Sequence, residues 1–142
     1  MRLAIPQLSP GARLVPRVVV PAADDLVKFA AASSDYNLIH YDSEYAQSRG
    51  FSSVIVHGFF KTAMLSELVL EQVTRGSWVR RLSATYRGVD HVGAPIVLRG
   101  VVKSCSDSEV VFDMWTENPS GERTTQCEAG VVVASEAVEA QA

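Results

Sequence analysis

Residues 58–73 constrain this chain more than any other stretch. They form its longest run with helical spacing. They contain no proline, and Met64, Leu65, Leu68, Val69 and Val73 keep up an apolar face. The opposite face is also rather apolar, which predicts deep burial. A lone helix cannot bury itself, and after Gly76 the chain reads only as strands. Residues 78–87, 96–104, 109–117 and 123–134 alternate or are rich in Val and Thr. Gly93-Ala94-Pro95, Ser106-Asp107-Ser108 and Asn118-Pro119-Ser120-Gly121 are the turns between them. Ahead of the helix, 13–20 reads as a first strand, with Pro16 marking an edge or bulge. Residues 24–33 read as a short helix with Asp24 as N-cap, 34–42 as an ordered loop, and 43–49 as a brief helix closed by Gly50. One strand, a helical stretch and four strands give an α+β layout. An antiparallel sheet curled around the long helix would bury both.

The 142 residues suit one domain, 1–142, with 135–142 expected as a frayed tail. Hydrophobic residues make up 47% and charged residues 20%, enough for a sizeable core without disulfide or metal staples. The net charge of −3 gives no general drive toward nucleic acid or anionic membranes. No uninterrupted apolar run is long enough to span a membrane. The N-terminus, broken at Pro6 and Pro10-Gly11, lacks the pattern of a secretory leader, so a cytoplasmic location is the expectation. Cys105 and Cys127 stand far apart, outside any CxxC spacing, and read as two reduced thiols in strands.

Chemistry concentrates between Asp35 and Gly58. Asp35 and His40 stand five apart in a loop, with Asn37 between them. A straight helix would rotate two such residues apart, whereas a curved loop lets both converge on one point. A carboxylate and an imidazole that converge can hold a water and move its protons. The same residues also suit a plainer role. Asp-x-Asn in a loop is often an Asx-turn, and a lone histidine is more often structural than catalytic. His57-Gly58 opens the long helix. A free N–H at Gly58, aided by the helix dipole, can polarise a carbonyl, and a glycine lets that carbonyl come close; alternatively Gly58 only turns the chain into the helix.

The run Ser34-Asp35-Tyr36-Asn37-Leu38-Ile39-His40-Tyr41-Asp42, followed by Tyr45-Ala46, Gly50-Phe51 and Ile55-Val56-His57-Gly58, resembles the signature of the MaoC-like (R)-specific enoyl-CoA hydratases. The match is dense over 26–70 and weaker beyond, where Tyr86-Arg87-Gly88-Val89 resembles the strand after the family's central helix. The resemblance implies the hot-dog fold, a curled antiparallel sheet around one long helix. It implies a hydratase or dehydratase that interconverts 2-enoyl and 3-hydroxyacyl thioesters. Asp35 and His40 would be the acid/base pair holding the water, Asn37 would orient the loop, and the Gly58 N–H would bind the thioester oxygen. Ser66 matches a serine that the family often has near the site, and Phe59 with Phe60, two bulky rings at the head of the helix, would shorten or reshape the acyl pocket or simply fill core. No metal or redox cofactor is implied, because coenzyme A or an acyl carrier protein enters as part of the substrate. A homodimer is the implied assembly, with a heteromeric dehydratase as the alternative.

The chain departs from the family pattern at Leu38, where proline is usual, and at Phe59-Phe60, where Met-Leu is common. The usual Gly-Asp after the strand is replaced by Gly93-Ala94, with Asp90-His91 three residues earlier, and His91 reads as a surface turn residue. Arg80-Arg81 and Arg87 would meet carrier phosphates or lie on a solvated strand face. Glu67, an acid on the central helix, suits the rival reading of a hot-dog thioesterase.

Overall fold

The computed structural model describes residues 8–134, so the expected tail at 135–142 lies outside the described residues. Nine elements follow the anticipated order. They are β1 (Arg17–Val19), α1 (Ala23–Ser33), a 3-10 turn (Leu38–His40), α2 (Ser43–Ser48), α3 (Gly58–Gln72), β2 (Trp78–Tyr86), β3 (Ile96–Cys105), β4 (Val110–Glu117) and β5 (Arg123–Val132).

The strands form one antiparallel sheet in the order β1-β3-β4-β5-β2. β3, β4 and β5 run as a meander, while β1 and β2, which flank α3 in sequence, close the two ends. β1 is shorter than the 13–20 expected. Pro16 cannot donate to a ladder, and Arg13 meets β3 only through an isolated bridge to Val101.

Alternation along the sheet decides its inner face. Leu98, Val102, Phe112, Met114, Cys127, Ala129 and Val131 are buried in one core with Leu65, Leu68, Val69 and Val73 of α3. The helix face named from its periodicity is the buried one, with Met64, Leu65, Leu68, Val69 and Val73 all at 6% exposure or less. The other face is not buried as expected. Phe59, Ala63 and Glu67 stay exposed along an open side of the helix.

One cap differs in detail. α1 begins at Ala23 with Ala22 as its N-cap, so Asp24 sits inside the first turn rather than capping it. The carboxylate that serves the helix end is Asp25, which accepts from the Ala22 N–H at 2.9 Å. Gly50 closes α2 with φ +89°, a conformation other side chains rarely adopt. Cys105 and Cys127 are free and lie on β3 and β5, on either side of β4. Among the described residues no helix is long and apolar enough to cross a membrane.

A curled antiparallel sheet wrapped on one long helix is the hot-dog fold that the sequence resemblance implies.

Candidate active site

The loop after α1 is built by its short polar side chains. The Ser33 hydroxyl accepts from the Asp35 N–H, Asp35 Oδ1 accepts from the Asn37 N–H at 3.3 Å, and Asn37 Oδ1 accepts from the Ile39 N–H at 3.3 Å. Asn37 thus caps the 3-10 turn that carries His40, and Leu38 begins that turn exposed, without needing proline. The loop is indeed an Asx-type turn, and the same turn sets Asp35 and His40 side by side.

His40 is buried, and its Nδ1 lies 2.7 Å from the Ile55 carbonyl oxygen. A carbonyl only accepts, so Nδ1 carries a proton, and in the neutral imidazole Nε2 then presents a lone pair. That lone pair faces Asp35 Oδ2 at 3.6 Å, too long for a direct hydrogen bond. Two acceptors face each other across a gap, the arrangement that suits a donor with two hydrogens. His57 packs behind them. It is fully buried, its ring stacks on His40, and its Nε2–H donates to the Asp35 backbone carbonyl at 3.2 Å. Burial, then the neighbouring His40, pushes the His57 imidazole below its ordinary value and keeps it neutral. The ligand atoms of Asp35, His40 and His57 lie within 4.8 Å of one another.

Asp35, His40, Gly58 and Phe59 line one cavity of about 310 Å³, with Lys61, Tyr86 and Val89 among its other walls. Gly58 opens α3, so its N–H has no partner within the helix and sits at the positive end of the dipole. A Cβ at position 58 would come within 2.8 Å of the Tyr86 ring, so glycine is required for the ring to lie there. Phe59 and Phe60 part company. Phe60 turns inward against Phe29, with ring centroids 5.2 Å apart, and fills core. Phe59 stays exposed and meets Tyr86 edge-on at 6.2 Å.

Ser66 lies in an adjoining groove of about 420 Å³ between α3 and β2, with Phe59, Leu82 and Tyr86, and donates to the Ala63 carbonyl at 2.8 Å. The structure does not bring it into the cavity with Asp35 and His40. His91 ties a turn: its ring nitrogens lie 3.3 Å and 3.0 Å from the Ser52 and Ser53 hydroxyls. Arg81 pairs with Glu128 and Glu109 on the sheet. Glu67 forms a surface pair with Arg17 at 2.8 Å and is not among the residues lining the cavity.

Tyr86 and Lys61 line the cavity and Asp90 pairs with Lys61, and residue spacing marked none of the three as a site residue. Lys61 had one visible signal. It stands four and seven residues before Leu65 and Leu68, on the helix face that is otherwise apolar.

Fold and site define a hot-dog domain with a facing carboxylate and imidazole beside the N-terminus of its central helix. The chain belongs to the MaoC-like domain family, whose sequence model matches residues 8–126. It is 26% identical over 76 residues to the mitochondrial 3-hydroxyacyl-[acyl-carrier-protein] dehydratase of Arabidopsis thaliana, covering 54% of this chain and 45% of that protein. It is 34% identical over 70 residues to the mesaconyl-C(4)-CoA hydratase of Chloroflexus aurantiacus, covering 49% of this chain and 25% of that protein. The chain therefore spans less than half the length of either relative. The fold is shared with an (R)-hydratase from A. caviae involved in PHA biosynthesis, at TM-score 0.84, 23% identity and coverage of 89% and 98% of the two chains. It is also shared with the ChsH1-ChsH2 complex from Mycobacterium tuberculosis, at TM-score 0.82, 15% identity and coverage of 88% and 98%.

Proposed function

We propose that this chain is a hydro-lyase that interconverts a 2-enoyl thioester and a 3-hydroxyacyl thioester. The observation that carries the reading is the 3.6 Å gap between His40 Nε2 and Asp35 Oδ2, open to the cavity that Gly58 also lines. A water in that gap donates one hydrogen to each acceptor, which leaves its lone pair for C3 of the enoyl group. As the C3–O bond forms, one of the two residues takes a proton from the water and the pair returns that proton to C2, so the OH on C3 and the H on C2 together account for the water added; dehydration runs the same steps backward. The Gly58 N–H stabilises the negative charge that develops on the thioester oxygen. Asn37 orients the loop through the Ile39 N–H. Ser66 and Phe59 belong to the acyl side of the site. The chemistry calls for no resident cofactor, and coenzyme A or an acyl carrier protein arrives with the substrate.

A homodimer suits the open end of the sheet. β2 is an end strand, Trp78, Leu82 and Tyr86 on it are exposed, and Leu82 and Tyr86 line the same groove as Ser66. The heteromeric alternative draws on the fold shared with a solved two-protein complex. The thioesterase alternative rests on Glu67, which is largely exposed, pairs with Arg17 and is not among the residues lining the cavity. A cytoplasmic location completes the proposal. The test is a panel of enoyl thioesters of varied length and carrier, followed by loss of enone absorbance. Turnover of some member supports the reading, and release of free thiol without hydration contradicts it.

A further inference from the structure

Lys61 and Asp90 form an ion pair that acid/base chemistry at Asp35 and His40 leaves unexplained. Lys61 Nζ lies 2.8 Å from Asp90 Oδ2, and the two side chains are only 2% and 1% exposed. Nζ also donates to the Gly88 carbonyl at 3.1 Å. Asp90 Oδ2 accepts a second bond from the Thr124 hydroxyl at 2.5 Å, and Thr124 in turn meets the Thr116 hydroxyl at 2.8 Å.

Taking two charges out of water is costly, and well-packed apolar residues in the same place are often as stable or more so. Stability alone therefore gives no reason for a lysine on the face of α3 that also carries Leu65 and Leu68. Its location does. Lys61 lines the cavity with Asp35, His40 and Gly58. The segment it grips, Gly88 to Asp90, lies against residues 55 and 56. The Asp90 carbonyl accepts from the Val56 N–H at 2.8 Å, and Ile55 forms an isolated antiparallel bridge with His91. Ile55 supplies the carbonyl that accepts the hydrogen bond from His40 Nδ1–H. An unbroken line of contacts thus runs from Lys61 through Asp90 and Val56 to Ile55 and His40.

We propose that Lys61, anchored on Asp90, is a positioning residue. It clamps residues 88–90 onto residues 55 and 56, and the Ile55 carbonyl held there keeps His40 protonated at Nδ1 with its Nε2 lone pair turned to Asp35. The hydrogen bond made by one ring nitrogen sets the state of the other. Its effect on rate rests on the hydro-lyase reading, whereas its effect on the His40 tautomer does not.

Two variants test the proposal. Lys61→Met/Asp90→Leu replaces the pair with apolar residues and leaves no buried charge unpaired. Asp90→Asn keeps the shape and weakens the clamp, and it carries the test if the double variant does not fold. Thermal unfolding establishes that each is folded, and proton–nitrogen correlation spectra of the His40 ring report its tautomer. The parent chain should show the Nδ1–H form alone, and the variants a mixture of both tautomers. In the double variant kcat for enoyl-thioester hydration should fall about 10²-fold, the scale of a small misplacement of a reacting group, with KM nearly unchanged. Folded variants that keep His40 wholly in the Nδ1–H form would overturn the proposal. A parent chain that hydrates no enoyl thioester would sink the functional reading, and the tautomer spectra would still decide this one.

Discussion

The imidazoles of His40 and His57 stack with ring centroids 3.7 Å apart and planes inclined by 21°. Burial first, and the neighbouring His40 second, push the His57 imidazole below its ordinary value and disfavour a charge on it. The unfolded chain binds a proton at His57 near its ordinary value of 6.5, and the folded chain binds it only at lower pH. Between those points the unfolded state holds more protons, so stability rises with pH up to about 6.5 and is lost as pH falls below it. Thermal unfolding between pH 5 and 8 should show this slope, and His57→Asn should flatten it.

Gly58→Ala should weaken fold and function together. Its Cβ would meet the Tyr86 ring at 2.8 Å, and the ring is tethered by its hydroxyl to Thr62 at 2.9 Å. The ring must swing and give up that bond, a cost of about 1 kcal/mol in denaturant unfolding. A displaced Tyr86 also alters the cavity wall beside His40, so kcat/KM should fall about tenfold or more. In a Tyr86→Ala background the same substitution should cost little further stability, because the ring it would displace is already absent.

Phe59→Ala should widen the acyl preference. Phe59 lines both the cavity and the neighbouring groove, so removing its ring joins the two. The ratio of kcat/KM for long over short enoyl thioesters should rise by about tenfold, the scale of a methylene or two in a pocket. Because Phe59 is exposed, the melting temperature should barely move.

Glu67→Ala should leave turnover unchanged. The carboxylate is largely exposed and pairs with Arg17, and its loss should cost no more than about 1 kcal/mol. An assay of thiol release alongside hydration would expose any thioesterase activity that depends on it.

Much of this was legible because two periodicities are clean. The helix face from Met64 to Val73 and the alternation of β3 to β5 place the core without any long-range knowledge. Asp35, Asn37 and His40 were legible because short polar side chains fold their own loop. Elsewhere, pairing across the chain decided. Nothing local to Lys61 names Asp90 as its partner, since residues 29 apart meet only when the segment after β2 returns to the head of α3. Likewise Ser66 and Gly58 share a helix, yet the Phe59 and Tyr86 rings stand between the cavity and the groove. Asp24 and Asp25 are adjacent, and only the backbone geometry at Ala22 selects Asp25.

The central claim is that Asp35 and His40 act together on a water beside an enoyl thioester. Hydration of crotonyl-CoA, or of the best substrate from the thioester panel, should be measured in the parent chain, Asp35→Asn and His40→Gln, each shown to be folded. The account predicts that each substitution lowers kcat by about 10²- to 10⁴-fold. Full activity in both folded variants would contradict it.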